Sequence, residues 1–175
     1  CPICVQANTK RKQKRRARHS SPRRGARKCG DIVTCDLIQP YQGKIEGLSN
    51  VREAILFYDL ATGWLQISPL TQNTTTAVMM AISHFTGTKT KIKLMYSDRG
   101  TEIIDACQQL YIPHDKSLSG RPETSSLIER QVQVVARGTR VLLSAAGLPQ
   151  GFWVQAAMAF CHLRNLQKDA SGHSA

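Results

Sequence analysis

No stretch of this sequence approaches the roughly 18 consecutive apolar residues of a membrane span. Nothing at its start resembles a secretory signal, and no internal repeat is visible. Between Lys10 and Lys28 there is not one acidic residue. The six cysteines lack the spacing of a secreted disulfide scaffold. Cys35, Cys107 and Cys161 lie instead inside apolar patterns, where reduced, buried thiols are expected, so a reducing compartment fits best. No membrane partner is expected. What is present suits one packed domain with a small appendage: 175 residues, 41% hydrophobic and 21% charged. The chain begins at Cys1 rather than Met, as expected of a piece of something larger, and ends in the unusual tail "KDASGHSA".

The net charge of +12 is unevenly spread. Residues 10–28, "KRKQKRRARHSSPRRGARK", hold eleven Lys or Arg, which leaves the rest of the chain nearly neutral. Ser, Pro and Gly in "SSPRRG" argue against one continuous helix there. The organisation expected is a CxxC segment over 1–8, a basic linker over 9–29, a folded core over 30–168 and a tail over 169–175. Lys10, Arg11, Lys12, Lys14, Arg15 and Arg16 suit phosphate contact that weakens steeply with salt. A nuclear-localisation tract, an RNA contact or a solvated linker fits the same charge.

Within the core, "DIVTCDLIQ" (31–39) reads as a strand that Pro40 stops. The nearly continuous apolar run "EAILFYDL" (53–60) suits a central strand covered on both faces. It pairs across "ATG" with "WLQISPL" (64–70) as a hairpin. Asn73 is the expected N-cap of a helix over 74–86, with Val78, Ile82 and Phe85 on one face. A strand over 91–97 follows, then a short helix from Gly100 and Thr101 to Leu110, burying Ile103, Cys107 and Leu110. "YIPHDKS" reads as a last strand, pushed to an edge by Pro113. The longest helix spans about 124–146, with Ile128, Val132, Val135 and Leu142 along one face, and Gly147 and Pro149 end it. A final helix packs Phe152, Ala156, Ala159 and Phe160 inward. This order predicts an α/β domain with a mixed five-stranded sheet flanked by helices.

Asp98 ends the fourth strand, Asp36 lies within the first and Glu129 lies near the start of the long helix. If strands one and four are neighbours, these three carboxylates can converge. Hard oxygen donors of that kind suit Mg²⁺, which keeps waters and binds substrate phosphate. Two such ions can hold the attacking and leaving oxygens of an in-line displacement at phosphorus. Each carboxylate also has an ordinary reading: a structural strand-tip group, or for Glu129 a solvated helix face. Asp59 suits a turn, and Glu123 a first-turn carboxylate favoured by the helix dipole.

The segments "CDLIQP", "YSDRGTE" and "GRPETSSLIERQVQ" resemble the catalytic core of retroviral and LTR-retrotransposon integrases, most closely the copia type. "CPIC" before a basic linker resembles the end of the zinc-binding domain that precedes that core, so the resemblance extends from Cys1 to about Lys168. It implies a ribonuclease-H-like fold and a catalytic, Mg²⁺- or Mn²⁺-binding triad of Asp36, Asp98 and Glu129. The implied activity is a DDE-type strand transferase and endonuclease that processes retroelement DNA ends and joins them to target DNA. DNA and further copies of the chain are the implied partners, and the nucleus, after a cytoplasmic particle stage, the implied location. A degenerate remnant that only binds nucleic acid, or a ribonuclease-H-type nuclease, are the rival readings. Arg99 replaces the family's usual Asn, Ser125 and Ser126 stand where Asn-Gly is usual, and the thirty residues between Asp98 and Glu129 are fewer than usual.

Cys1 and Cys4 have zinc-ligand spacing, but a structural zinc site needs four ligands. The pair is an incomplete half-site, and zinc is expected only where the family's upstream histidines join it. On the long helix, Gln133, Arg137 and Arg140 follow Glu129 along one face and suit DNA contact, or an ordinary solvated face. His114 reads as a satisfied structural histidine. Trp64 and Trp153 read as packing anchors.

Overall fold

β-Branched and apolar residues in "VTCDLI" build strand β1 (Val33–Ile38), and "EAILFYD" builds β2 (Glu53–Asp59). The computed structural model describes residues 26–40, 45–97, 100–116 and 122–167, with the backbone alone for 116 and 122–126. Strand β3 (Leu65–Leu70), helix α1 (Thr75–Thr86), strand β4 (Met95–Ser97) and helix α2 (Thr101–Gln109) follow. Strand β5 (His114–Lys116) and helices α3 (Pro122–Ala146) and α4 (Trp153–Leu166) complete the order. The five strands form one mixed sheet in the order β3-β2-β1-β4-β5. β1 pairs antiparallel with β2 and parallel with β4. The edge position expected for β5 is observed. Among the described residues no helix is long and apolar enough to cross a membrane.

Alternation along the strands divides the core into two layers. Val33, Cys35, Ile55, Phe57 and Met95 pack under α1 and α2, where the Phe57 and Phe85 rings stack 5.0 Å apart. Leu56, Tyr58 and Ile67 pack under α3 and α4 with Ile128, Val135 and Trp153. Ile55, Leu56 and Phe57 are fully buried. Each contributes roughly 1.5–3 kcal/mol of transfer free energy, so the two faces of β2 dominate the cohesion of the layers.

Several local expectations need correction. Thr74, not Asn73, caps α1: its Oγ1 accepts from the Ala77 N–H at 3.3 Å. The fourth strand begins at Met95 rather than at 91, because β1 starts only at Val33 and its ladder with β4 opens at Val33↔Met95. The long helix starts two residues early, at Pro122, and near its far end Leu143 is buried more deeply than Leu142. In α4 the buried positions are Trp153, Val154, Ala156, Ala157, Cys161 and Asn165, and Ala159 is exposed. Trp64 is 37% exposed, so only Trp153 anchors the core.

Two polar devices fix the frame. Asn165 bonds both backbone groups of Leu65, accepting its N–H at 2.9 Å and donating to its carbonyl at 2.7 Å. In effect a side-chain amide adds a peptide partner to the edge strand β3. Asp31 accepts from the Arg27 and Lys28 backbone N–H groups at 2.9 and 2.8 Å and pairs with Lys93 Nζ at 2.7 Å. Those contacts, Lys93 first, hold its carboxyl below the usual carboxylate range.

Asn165→Ala is expected to cost about 1–3 kcal/mol in chemical denaturation, because both Leu65 groups lose their partner at a buried site. Asp31→Asn is expected to lower stability at pH 7. A depressed folded-state pKa stabilises above the unfolded carboxylate value, so the gap to wild type closes as pH falls below about 4. Thermal melts across that range check the sign.

Candidate active site

Asp36 stands on β1 opposite Leu56 of β2 and is half-buried. It shares a face with Thr34 and Ile38, and Ile38 packs into the α3–α4 layer. Glu129 is exposed on α3, while the adjacent Ile128 is buried in that same layer. Asp36 and the helix carrying Glu129 therefore lie on one side of the sheet.

β1 and β4 run parallel with Thr34 beside Tyr96, so their C-terminal ends point the same way. β4 ends at Ser97, and Gly100 is the N-cap of α2. Asp98 and Arg99, between them, lie outside the described residues. Gly100 has φ −59, so the turn does not draw on glycine's access to the left-handed region. Among the described residues no three His, Cys, Asp or Glu side chains converge on a metal-sized site; Asp98 is not among them. Cys1, Cys4 and the arm residues Lys10, Arg11, Lys12, Lys14, Arg15 and Arg16 also lie outside the described residues.

The competing polar groups have structural partners. Asp59 is fully buried and its carboxylate accepts from the N–H groups of Ala61, Thr62 and Gly30 and from the Thr62 hydroxyl. It is a turn residue, as expected. His114 Nε2 lies 2.8 Å from the Ser97 hydroxyl and ties β5 to β4. Cys35, Cys107 and Cys161 are buried, and burial pushes the Cys107 thiol to about 11 and the Cys161 thiol to about 12. Neither of these two raised thiols is a nucleophile at neutral pH.

Gln133, Arg137 and Arg140 are all exposed. No acidic residue occurs from Arg130 to Gln167, so beyond Glu129 the α3–α4 surface carries one sign of charge. The stripe divides in space. Arg140 borders a groove of about 410 Å³ at the end of β1, between Leu37–Pro40 and Val132, Ala136 and Trp153. Arg137 borders a second furrow with Phe160 and Arg164. Gly138 lets Phe160 sit against α3 there; a Cβ on it would lie 2.1 Å from the ring. Sequence reasoning missed this groove and the Gln39–Glu53 side-chain bond that ties the end of β1 to β2. Neither has a periodic signal, because both depend on which strands become neighbours.

No protein-family model matches the chain. It is 28% identical over 145 residues to the retrovirus-related Pol polyprotein of the Nicotiana tabacum transposon TNT 1-94. That match covers 77% of this chain and 11% of the relative, so the chain spans about a tenth of the length of that protein. Among solved structures it resembles a chain of the simian T-cell lymphotropic virus intasome in complex with the PP2A regulatory subunit B56 gamma. The TM-score is 0.67 at 17% identity, over 99% of this chain and 61% of that one. The fold is the ribonuclease-H-like α/β fold: among the described residues, a mixed five-stranded sheet flanked by four helices.

Proposed function

We propose that the integrase-like region carried by this chain is a copia-type strand transferase that cuts retroelement DNA near its 3′ ends and joins them to target DNA. What supports this reading most is a coincidence of register. Asp36 follows Thr34 by two residues, Asp98 follows Tyr96 by two, and Thr34 and Tyr96 are partners across the parallel β1–β4 pair. The helix with Glu129 covers the face to which Asp36 belongs. A purely structural protein has no need of that arrangement.

The donor set fits Mg²⁺ or Mn²⁺, since Asp36, Asp98 and Glu129 offer only hard carboxylate oxygens. When bound, such ions neutralise charge on the scissile phosphate and favour ionisation of an attacking hydroxyl. The protein's own part is positional. Pairing with β2 and β4 holds Asp36, a packed helix holds Glu129, and Gln133 and Arg140 hold the sugar-phosphate backbone. In the first in-line displacement, water forms the new bond to phosphorus and a 3′-oxygen leaves. In the second, that 3′-hydroxyl attacks a target phosphodiester, its proton passes to solvent, and the target strand's own 3′-oxygen leaves. Assembly as a homo-multimer on DNA, action in the nucleus after a cytoplasmic particle stage, and zinc binding only where two upstream histidines join Cys1 and Cys4 belong to the same proposal.

Arg99, Ser125 and Ser126 at motif positions favour one rival, a degenerate remnant that binds nucleic acid without chemistry. A nuclease of the ribonuclease-H type would cut without joining.

The test is a branched DNA that mimics the joined product, incubated with the full chain and Mg²⁺ or Mn²⁺. Strand rejoining is expected, and Asp98→Asn is expected to lower it by more than the roughly 10–100-fold that loss of a supporting group costs at metal sites. Hydrolysis without joined strands selects the nuclease; folded protein with salt-sensitive binding but no reaction selects the remnant.

A further inference from the structure

The end of the β1–β4 pair opposite the carboxylates carries a second concentration of charge. Gly30, with φ +84, turns the chain into β1 so tightly that a Cβ would lie 2.5 Å from the Lys91 carbonyl and 2.9 Å from Thr90. The Lys93 N–H donates to the Gly30 carbonyl at 2.8 Å, and Asp31 pairs with Lys93 while accepting from the Arg27 and Lys28 N–H groups. These contacts press the last turn before the domain against the segment that leads into β4. Arg27, Lys28, Lys89, Lys91 and Lys93 are exposed, and Ile92, 7% exposed, anchors the segment between two outward lysines.

The charge is poorly compensated. Residues 10–30 and 60–97 contain no acid. The two carboxylates facing this turn, Asp31 and Asp59, are already engaged by backbone and side-chain donors. Five cations on adjoining segments therefore stand against two carboxylates, and such like charges repel unless a polyanion joins them. None of the large exposed apolar side chains belongs to residues 26–31 or 86–93. Insertion into a membrane surface or capture of an amphipathic acidic helix draws on such an apolar floor; a sugar-phosphate backbone needs none.

We infer that Arg27, Lys28, Lys89, Lys91 and Lys93 form a duplex-DNA backbone site that follows the basic arm in sequence and is separate from the carboxylate end. Asp36 lies three residues farther along β1 than Val33, roughly 10 Å along the strand and toward its other end. The site positions nucleic acid without reading its sequence, because lysine contacts to phosphate carry no base information. It does not require the transferase reading to hold.

The experiment measures binding of a labelled duplex DNA by the full chain, in EDTA, from about 50 to 200 mM salt. Chemistry at the carboxylates cannot contribute without metal, so failure of the transferase reading leaves this readout intact. Lys89→Gln/Lys91→Gln removes two exposed charges and spares the Lys93–Asp31 pair. It is expected to flatten the slope of log K against log salt by about 1–2, near 0.9 for each lost phosphate contact, with an unchanged melting temperature. Arg52→Gln removes one exposed charge elsewhere and is expected to flatten it less than Lys91→Gln alone. Equal effects of those two single variants, a wild-type slope for the lysine pair, or a lysine dependence confined to single-stranded RNA would each overturn the assignment.

Discussion

Strand β1 is bonded along both edges, antiparallel to β2 and parallel to β4, and the placement of the candidate catalytic groups depends on that double pairing. A one-residue slip of β1 would carry Asp36 to the α1–α2 face, away from the helix that bears Glu129. The register is held from several directions. Val33 and Cys35 are buried under α1 and α2, the Gln39 side chain bonds Glu53 beyond the strand's end, and Gly30 and Asp31 fix its beginning.

The same strand pair separates two kinds of electrostatics. At its C-terminal end the sequence supplies carboxylates, and the basic part of the α3–α4 surface beyond Glu129, with Arg140 and Arg137, lies alongside. At its N-terminal end lysines and arginines collect with little apolar surface. On the proposed reading, the first arrangement would attract cations and phosphate together, and the second only the polyanion. A chain that must grip a nucleic acid and also act on one phosphodiester benefits from keeping these tasks apart, since lysines beside the carboxylates would compete with metal for them.

Much of this was legible in the sequence because it depends on local pattern. The apolar run of β2, the hairpin to β3, the edge strand after Pro113 and the long amphipathic helix all follow from periodicity and turn chemistry. The α4 packing face was only partly legible: in a helix rich in Ala and apolar residues, several faces fit equally well until a neighbour chooses one. The start of β4 depended on where β1 begins, which residues 91–97 do not encode. Asn165 clamping Leu65 and Gly138 admitting Phe160 are contacts between distant segments and leave no local mark. For the site, the residue types and their order were readable in the sequence. That Asp36 and α3 share a face required the sheet.

The central claim is that three carboxylates from β1, the end of β4 and α3 act together on divalent metal. Calorimetric titration of the full chain with Mn²⁺ tests it most directly, using Asp36→Asn, Asp98→Asn and Glu129→Gln separately. The account predicts that the folded wild type binds Mn²⁺ and that each substitution weakens binding by at least about 10-fold, consistent with shared ligands rather than scattered surface carboxylates. Binding that is unchanged in all three variants, or absent from a folded wild type, would contradict it.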